Sequence, residues 1–278
     1  MRKKLLFLAA MSLSVVLLIT GCGKKDTKTS GSASQGTFKV GLECGYAPFN
    51  WTQKDVSNGA VKIDGEAEYA GGYDIEIAKK IADGLGKKLV VVKTEWDGLV
   101  PALTSGKIDA IIAGMSPTAK RKLTIDFSVN YYKSNLVMVV KKGGKYDNAS
   151  ALNDFSGAKI TAQLNTFHYT VIDQIPSVKK QPAMDNFPAM RVALESGMID
   201  GYISERPEGV SAETANSNFK MVEFKDGFKT SDDDTAIAVG IAKGSALTSK
   251  INTILEDISL DQQKTIMDTA IKNQPAAK

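Results

Sequence analysis

Residues 102–114 read Ala102-Leu103-Thr104-Ser105-Gly106-Lys107-Ile108-Asp109-Ala110-Ile111-Ile112-Ala113-Gly114. Residues 193–205 answer with Ala193-Leu194-Glu195-Ser196-Gly197-Met198-Ile199-Asp200-Gly201-Tyr202-Ile203-Ser204-Glu205. The offset is a constant 91 residues without a gap, and seven of the thirteen positions are identical. Each copy reads as the end of a helix, a Ser-Gly stop and then a strand. Chance among common helix-end residues explains a gap-free match of this length poorly, so the repeat implies two lobes of similar design, each holding one copy. One strand ends at Gly114 and the other at Glu205. Ligands of open α/β sheets sit beyond the carboxyl ends of strands, so both positions are expected to face one cleft between the lobes.

Outward from the repeat, apolar periodicity predicts strands at 38–42, 89–93, 108–112, 136–140, 159–162 and 235–241. It predicts helices at 71–85, 99–105, 166–174, 188–196 and 207–215, and one or two more over 246–271. Alternating strands and helices argue for an α/β fold with largely parallel sheets. The chain is expected to cross between lobes twice, near 132–136 and 233–238, the two strand crossovers forming a hinge. That assigns 37–134 with 236–278 to one lobe and 135–235 to the other.

The N-terminus addresses the compartment. Met1-Arg2-Lys3-Lys4 is basic, and Leu5 to Ile19 is apolar except for Ser12 and Ser14. That run suits an export signal and falls short of the ~20 residues of a membrane-spanning helix. Ile19-Thr20-Gly21-Cys22 resembles the lipobox of bacterial lipoproteins. The resemblance implies a signal peptide over 1–21, cleavage before Cys22, and a lipid on Cys22 that anchors the chain to the cell membrane on its extracytoplasmic side. Residues 22–36 are then the acylated Cys and a Lys/Ser/Thr/Gly-rich tether that lacks the apolar surface to fold. With Cys22 acylated, Cys44, the other of the two cysteines, has no partner and is expected to be a small buried apolar residue. The net charge of +4 makes no basic stripe for nucleic acid.

Gly114 is followed by Met115-Ser116-Pro117-Thr118-Ala119-Lys120-Arg121. Thr118 is a plausible N-cap. The N–H groups of a helix start and the planar fork of Arg121 both suit a carboxylate. This run, with Ile125-Asp126-Phe127-Ser128, Tyr131-Tyr132, Gly45-Tyr46-Ala47-Pro48-Phe49, Gly72-Tyr73-Asp74-Ile75-Glu76-Ile77-Ala78 and Trp96-Asp97-Gly98-Leu99-Val100-Pro101-Ala102-Leu103, resembles the polar amino-acid binding proteins of bacterial ABC transporters. The likeness covers residues 38–271 and implies a two-lobed periplasmic-binding-protein-like fold (type II).

The resemblance implies a role for each matched position. Arg121 pairs with the ligand α-carboxylate, Ser116 offers its backbone N–H, and often in the family its hydroxyl, and Thr166 donates to the same carboxylate from the second lobe. Asn165 stands where the family usually has Gly. The carbonyl of Gly114 and the carboxylate of Glu205, commonly Asp in the family, take the α-ammonium. Tyr46 and Trp96 sandwich the ligand side chain, Glu43 matches a position that is acidic in binders of cationic amino acids, and Gln163 adds a hydrogen bond. Two aromatic faces and a carboxylate suit a guanidinium or an ammonium, which favours arginine, then lysine. Glutamine or cystine, or a dehydratase-like enzyme of the same fold, stay open. The partners implied are a free L-amino acid and an ABC permease, with the protein a monomer.

No cofactor, metal site or catalytic residue is expected. His168, the sole histidine, lacks companions for a metal site or a triad and is expected at the rim or helix start near Thr166. Asp232-Asp233-Asp234 reads as a solvated turn rather than a calcium loop, whose ligands are spaced.

Overall fold

A computed structural model describes residues 36–275. The expected signal peptide, Cys22 and nearly all of the tether lie outside the described residues. Phe38, Val40 and Leu42 are buried while Thr37 and Lys39 are exposed, the period of two that makes Thr37–Leu42 a strand. It lies in a five-stranded sheet ordered Lys88–Lys93, Thr37–Leu42, Ala110–Ile111, Ala236–Ala242 and Ile125–Lys133. A second sheet runs Lys179–Lys180, Lys159–Thr161, Gly201–Glu205, Leu136–Lys141 and Phe219–Val222. In each, the first three strands are parallel and the fourth is antiparallel to both neighbours. The sheets are therefore mixed α/β sheets, with a single reversed strand in each. Each sheet is the centre of one lobe.

The repeat is reproduced almost hydrogen bond for hydrogen bond. Gly106 and Gly197 both take left-handed φ, 75° and 77°. Lys107 N and Met198 N each donate to the carbonyl five residues back, Ala102 and Ala193, at 2.9 Å. Asp109 Oδ2 accepts from Lys39 N, and Asp200 Oδ2 from Lys159 N, both at 2.8 Å. The shared Asp thus stitches the central strand of each lobe to the strand beside it, and the shared Gly supplies the turn that feeds it.

The helix over Tyr73–Gly84 turns Ile75, Ala78, Ile81 and Ala82 into the core. Gly72 precedes it at φ +124°, where a Cβ would sit 2.3 Å from the Phe49 carbonyl oxygen. Only glycine lets the chain pass there. The sequence expectation for 166–174 splits into an α-helix, Phe167–Val171, and a 3-10 turn, Ile172–Gln174. The stretch over 246–271 resolves into two helices, Leu247–Glu256 and Leu260–Asn273. The nine-residue strand Ile125–Lys133 was not legible, because its burial does not alternate; pairing with Ala236–Ala242 holds it. A small antiparallel sheet, Gly45–Tyr46, Asn50–Gln53, Tyr69–Gly71 and Val61–Lys62, was also missed because its strands are so short.

The chain leaves the first sheet at Lys133, enters the second at Leu136, and returns through a helical turn, Asp232–Thr235, into Ala236–Ala242. Ser134 N donates to the Thr235 carbonyl at 3.0 Å, so the two crossings lie side by side. The three aspartates form the capped first turn of that short helix, and Lys133 and Lys122 pair with Asp232 and Asp233 at 2.6 Å. Among the described residues no helix is long and apolar enough to cross a membrane.

Candidate functional site

The carboxyl ends of the two central strands open into the same small cavity, which Gly114 and Glu205 both line. A buried polar network fixes the first end. Asn50 Nδ2 and the Tyr131 hydroxyl donate to Asp74 at 2.8 Å each, and Tyr131 Oη accepts from Gly114 N at 3.2 Å. Burial raises Asp74 to a pKa of about 6 despite these donors. Gly114 itself is held at φ +60°, and a Cβ there would stand 2.6 Å from the Tyr46 ring, so Tyr46 demands glycine at this point.

Tyr46 reaches the cavity because Cys44 turns the chain at φ +56° just after the first strand. Thr52 Oγ1 secures that turn through the Cys44 carbonyl at 3.0 Å. Cys44 is buried, and burial pushes its thiol up to about 12. It therefore behaves as an apolar filler, not as a nucleophile.

Thr118 caps the short helix Ala119–Lys122, which presents Arg121. Arg121 Nη1 donates to the Ser116 carbonyl at 2.9 Å and Nη2 to the Asn165 carbonyl at 3.2 Å. Its Cζ lies 5.0 Å from the Trp96 ring centroid. Burial lowers the guanidinium to about 10, against the pull of Glu205 upward, and it stays charged at neutral pH. The Ser116 hydroxyl donates to the Asp234 carbonyl at 2.9 Å, toward the second crossing.

The second lobe contributes Gln163 to His168 and Glu205. Thr166 heads the helix Phe167–Val171, and its hydroxyl donates back to the Gln163 carbonyl at 2.7 Å. Glu205 is buried, with Oε2 accepting from the Tyr46 hydroxyl of the opposite lobe. His168 Nε2 lies 2.9 Å from Glu205 Oε1, an ion-pair distance at an angle short of a hydrogen bond. Burial pushes the Glu205 carboxyl up, but His168 and the Tyr46 hydroxyl outweigh it and hold the group below the usual carboxylate range.

Eight of the nine residues expected from sequence line this cavity: Tyr46, Trp96, Gly114, Ser116, Arg121, Gln163, Thr166 and Glu205. Glu43 does not. It is joined to the cavity wall through Gln163, whose Nε2 donates to Glu43 Oε2 at 3.1 Å and to the Asp185 carbonyl at 3.0 Å. Two other expectations need correction for this conformation. Tyr46 offers no free ring face, because Phe187 stacks on it at 4.3 Å and 4° and Phe49 covers it at 4.8 Å and 35°. The Ser116 hydroxyl is committed to backbone. His168 sits, as expected, at the helix start after Thr166, and is buried there against Glu205. Phe167 and Asn165, which border the cleft, were not expected there, nor was the stacking of Phe187 on Tyr46. Only Asn165 carried a signal, since it stands where glycine was expected.

The enclosed space is about 10 Å³, room for no more than one water. Outside it the cleft widens to about 820 Å³ between Trp96, Asp97 and Arg121 on one side and Asn165, Thr166 and Tyr169 on the other. The lobes are drawn together by Tyr46–Glu205, Gln163–Glu43 and Arg121–Asn165, and by an apolar cluster continuous through Tyr46 and Phe187 to Tyr202.

Burial raises Glu43 from 4.5 to about 7, with Glu95 and Asp74 adding to it and the Gln163 bond opposing it. The folded protein therefore keeps a proton that the unfolded chain releases, so stability falls as pH rises from about 4.5 to 7, by roughly 3 kcal/mol for such a gap. Above about 7 the penalty is complete. Thermal melts should lose several degrees between pH 5 and pH 8, and Glu43→Gln should remove most of that loss. An equal loss in the variant would assign the slope to other groups.

A cleft between two α/β lobes, floored by the ends of their central strands and flanked by opposite charges, defines a solute-binding protein that grips its ligand from both sides. The sequence agrees: residues 38–271 match the family model described as bacterial extracellular solute-binding proteins, family 3. This chain belongs to that family, which is one of binding proteins and not of enzymes. It is 34% identical over 211 residues, 70% of this chain and 75% of the relative, to a probable histidine-binding protein of Campylobacter jejuni. It is 32% identical over 291 residues, 99% of each chain, to the ABC transporter glutamine-binding protein GlnH of Bacillus subtilis. Its fold matches the amino acid ABC transporter substrate-binding protein AbpA of Streptococcus pneumoniae bound to L-arginine, with a TM-score of 0.72 and 26% identity. That match covers 85% of this chain and 95% of the other.

Proposed function

We propose that this protein captures a free L-α-amino acid, arginine first and lysine next, in the interlobe cleft and delivers it to an ABC permease. The observation that carries the reading is the presence of Arg121 and Glu205 on opposite lobes of one cavity. A zwitterion needs one cationic and one anionic partner at a fixed spacing. Arg121 and Thr166 take the carboxylate, and Glu205 with the Gly114 carbonyl takes the ammonium. In the closed form the Tyr46 hydroxyl already satisfies Glu205, so the lobes, 37–134 with 236–278 and 135–235, must part about their paired crossings for the ligand to enter. The arriving ammonium then replaces the Tyr46 hydroxyl, and reclosure makes all the contacts at once. Trp96 and Tyr46, freed from Phe187, supply ring faces for a cationic side chain.

The arginine-bound neighbour supports this ligand. The full-length likeness to a glutamine-binding protein keeps a neutral polar amino acid as the second reading. The protein works as an extracytoplasmic monomer held at the membrane by a lipid on Cys22. A thermal-shift screen of the twenty amino acids should place arginine at the top. Glutamine at the top with arginine inert transfers the assignment to the neutral class; glutamate at the top overturns the charge argument.

A further inference from the structure

Asn165 holds a backbone conformation that suits glycine, and the structure gives its side chain a use. Its φ is +56°, the left-handed region that Gly adopts freely and Asn tolerates better than most residues. The turn therefore needs no side chain here. The side chain nevertheless makes a contact: Nδ2 donates to Asp97 Oδ1 of the opposite lobe at 2.9 Å. The backbone carbonyl of the same residue accepts from Arg121 Nη2 at 3.2 Å. Asp97 follows Trp96, whose ring lies 5.0 Å from the Arg121 guanidinium carbon. One residue of the second lobe thus grips both the cation and the neighbour of the aromatic ring beside it. All four residues border the outer cleft, where the lobes meet solvent.

We propose that Asn165 is a positioning residue for ligand retention: its side chain latches Asp97 at the mouth of the closed cleft while its carbonyl sets the outer nitrogen of Arg121. This rests on the amino-acid reading above and deepens it. The latch joins opposite lobes, so it exists in the closed state and not in the open one. Ligand meets the open form, which lacks the latch, so the association rate is independent of it. Dissociation requires the latch to break, so its loss appears in the off-rate. A charge-assisted hydrogen bond at a solvent-accessible mouth is worth about three- to tenfold in that rate.

The test is a double-mutant cycle on the full chain with L-arginine, read by stopped-flow fluorescence. Asn165→Gly keeps the turn and the carbonyl and deletes only the side-chain bond; Asp97→Ala deletes the partner. Each should raise the off-rate about three- to tenfold and leave the on-rate within about twofold. The double variant should be no faster than the faster single. The melting temperature of the ligand-free protein should not move, which separates a latch from a general loss of stability. Unchanged off-rates, or effects that multiply in the double variant, overturn the proposal. If L-arginine fails to bind the unmodified protein, the ligand reading is what fails. The latch is then judged by the same cycle run with the amino acid that the thermal-shift screen ranks first, where off-rates unmoved by either variant sink it.

Discussion

Replacing Arg121 with alanine is expected to abolish amino-acid binding measurable by calorimetry. Among the described residues, Arg121 is the only lysine or arginine lining the enclosed cavity, and the His168 imidazole there lies against Glu205. Removing the guanidinium leaves a desolvated carboxylate facing backbone and hydroxyl donors only, at a cost of about 2–5 kcal/mol. Micromolar affinity corresponds to only about 8 kcal/mol, so the loss moves dissociation toward the millimolar range. The fold should survive, because the hydrogen-bond partners of the Arg121 guanidinium are two carbonyls at the cleft, Ser116 and Asn165, that water can reach when the lobes part. Lysine should rescue little, since one ammonium cannot hold a carboxylate with two parallel bonds. A variant that binds with near-normal affinity would remove the clamp from the account.

Glu205→Gln is expected to weaken binding by a comparable about 2–5 kcal/mol through the other end of the ligand, by stranding the α-ammonium in a buried site without its anion. Here the protein's own response differs. Glu205 is a buried carboxylate held by His168 and the Tyr46 hydroxyl, and an amide can still meet the hydroxyl. Thermal stability without ligand should therefore change far less than affinity. The pH signature follows from the depressed carboxyl. A lowered folded-state pKa contributes stability that is present above the ordinary carboxylate value and is lost as pH falls through the folded one. Affinity in the unmodified protein should thus hold through neutral pH and fall only in strong acid, whereas the glutamine variant should lack that acid limb. Equal affinities for the two proteins at pH 7 would show that the ammonium is bound elsewhere.

Much of this was legible in the chain. The spacing of the repeat placed Gly114 and Glu205 at equivalent strand ends, and they do meet at one cavity. A local pattern suffices there, because the helix stop, the left-handed Gly and the Asp that ties the strand are all encoded within thirteen residues. The strand Ile125–Lys133 and the small antiparallel sheet were illegible for the opposite reason. Their residues carry no period of their own and are ordered by partners distant in sequence.

The sequence by itself determined the class of the protein, the two-lobed plan, and eight of the residues that line the cavity between the lobes, because these depend on side-chain chemistry and on local turns. Only the tertiary structure decided what those residues do to one another when the lobes are shut. It turned Tyr46 away from a free aromatic face and onto Phe187 and Glu205, withdrew Glu43 behind Gln163, buried His168 against the acidic clamp, and carried Asn165 across the mouth to Asp97. Each of these pairs joins residues far apart along the chain, and the distance between them is set by the packing of whole elements, which no local pattern records.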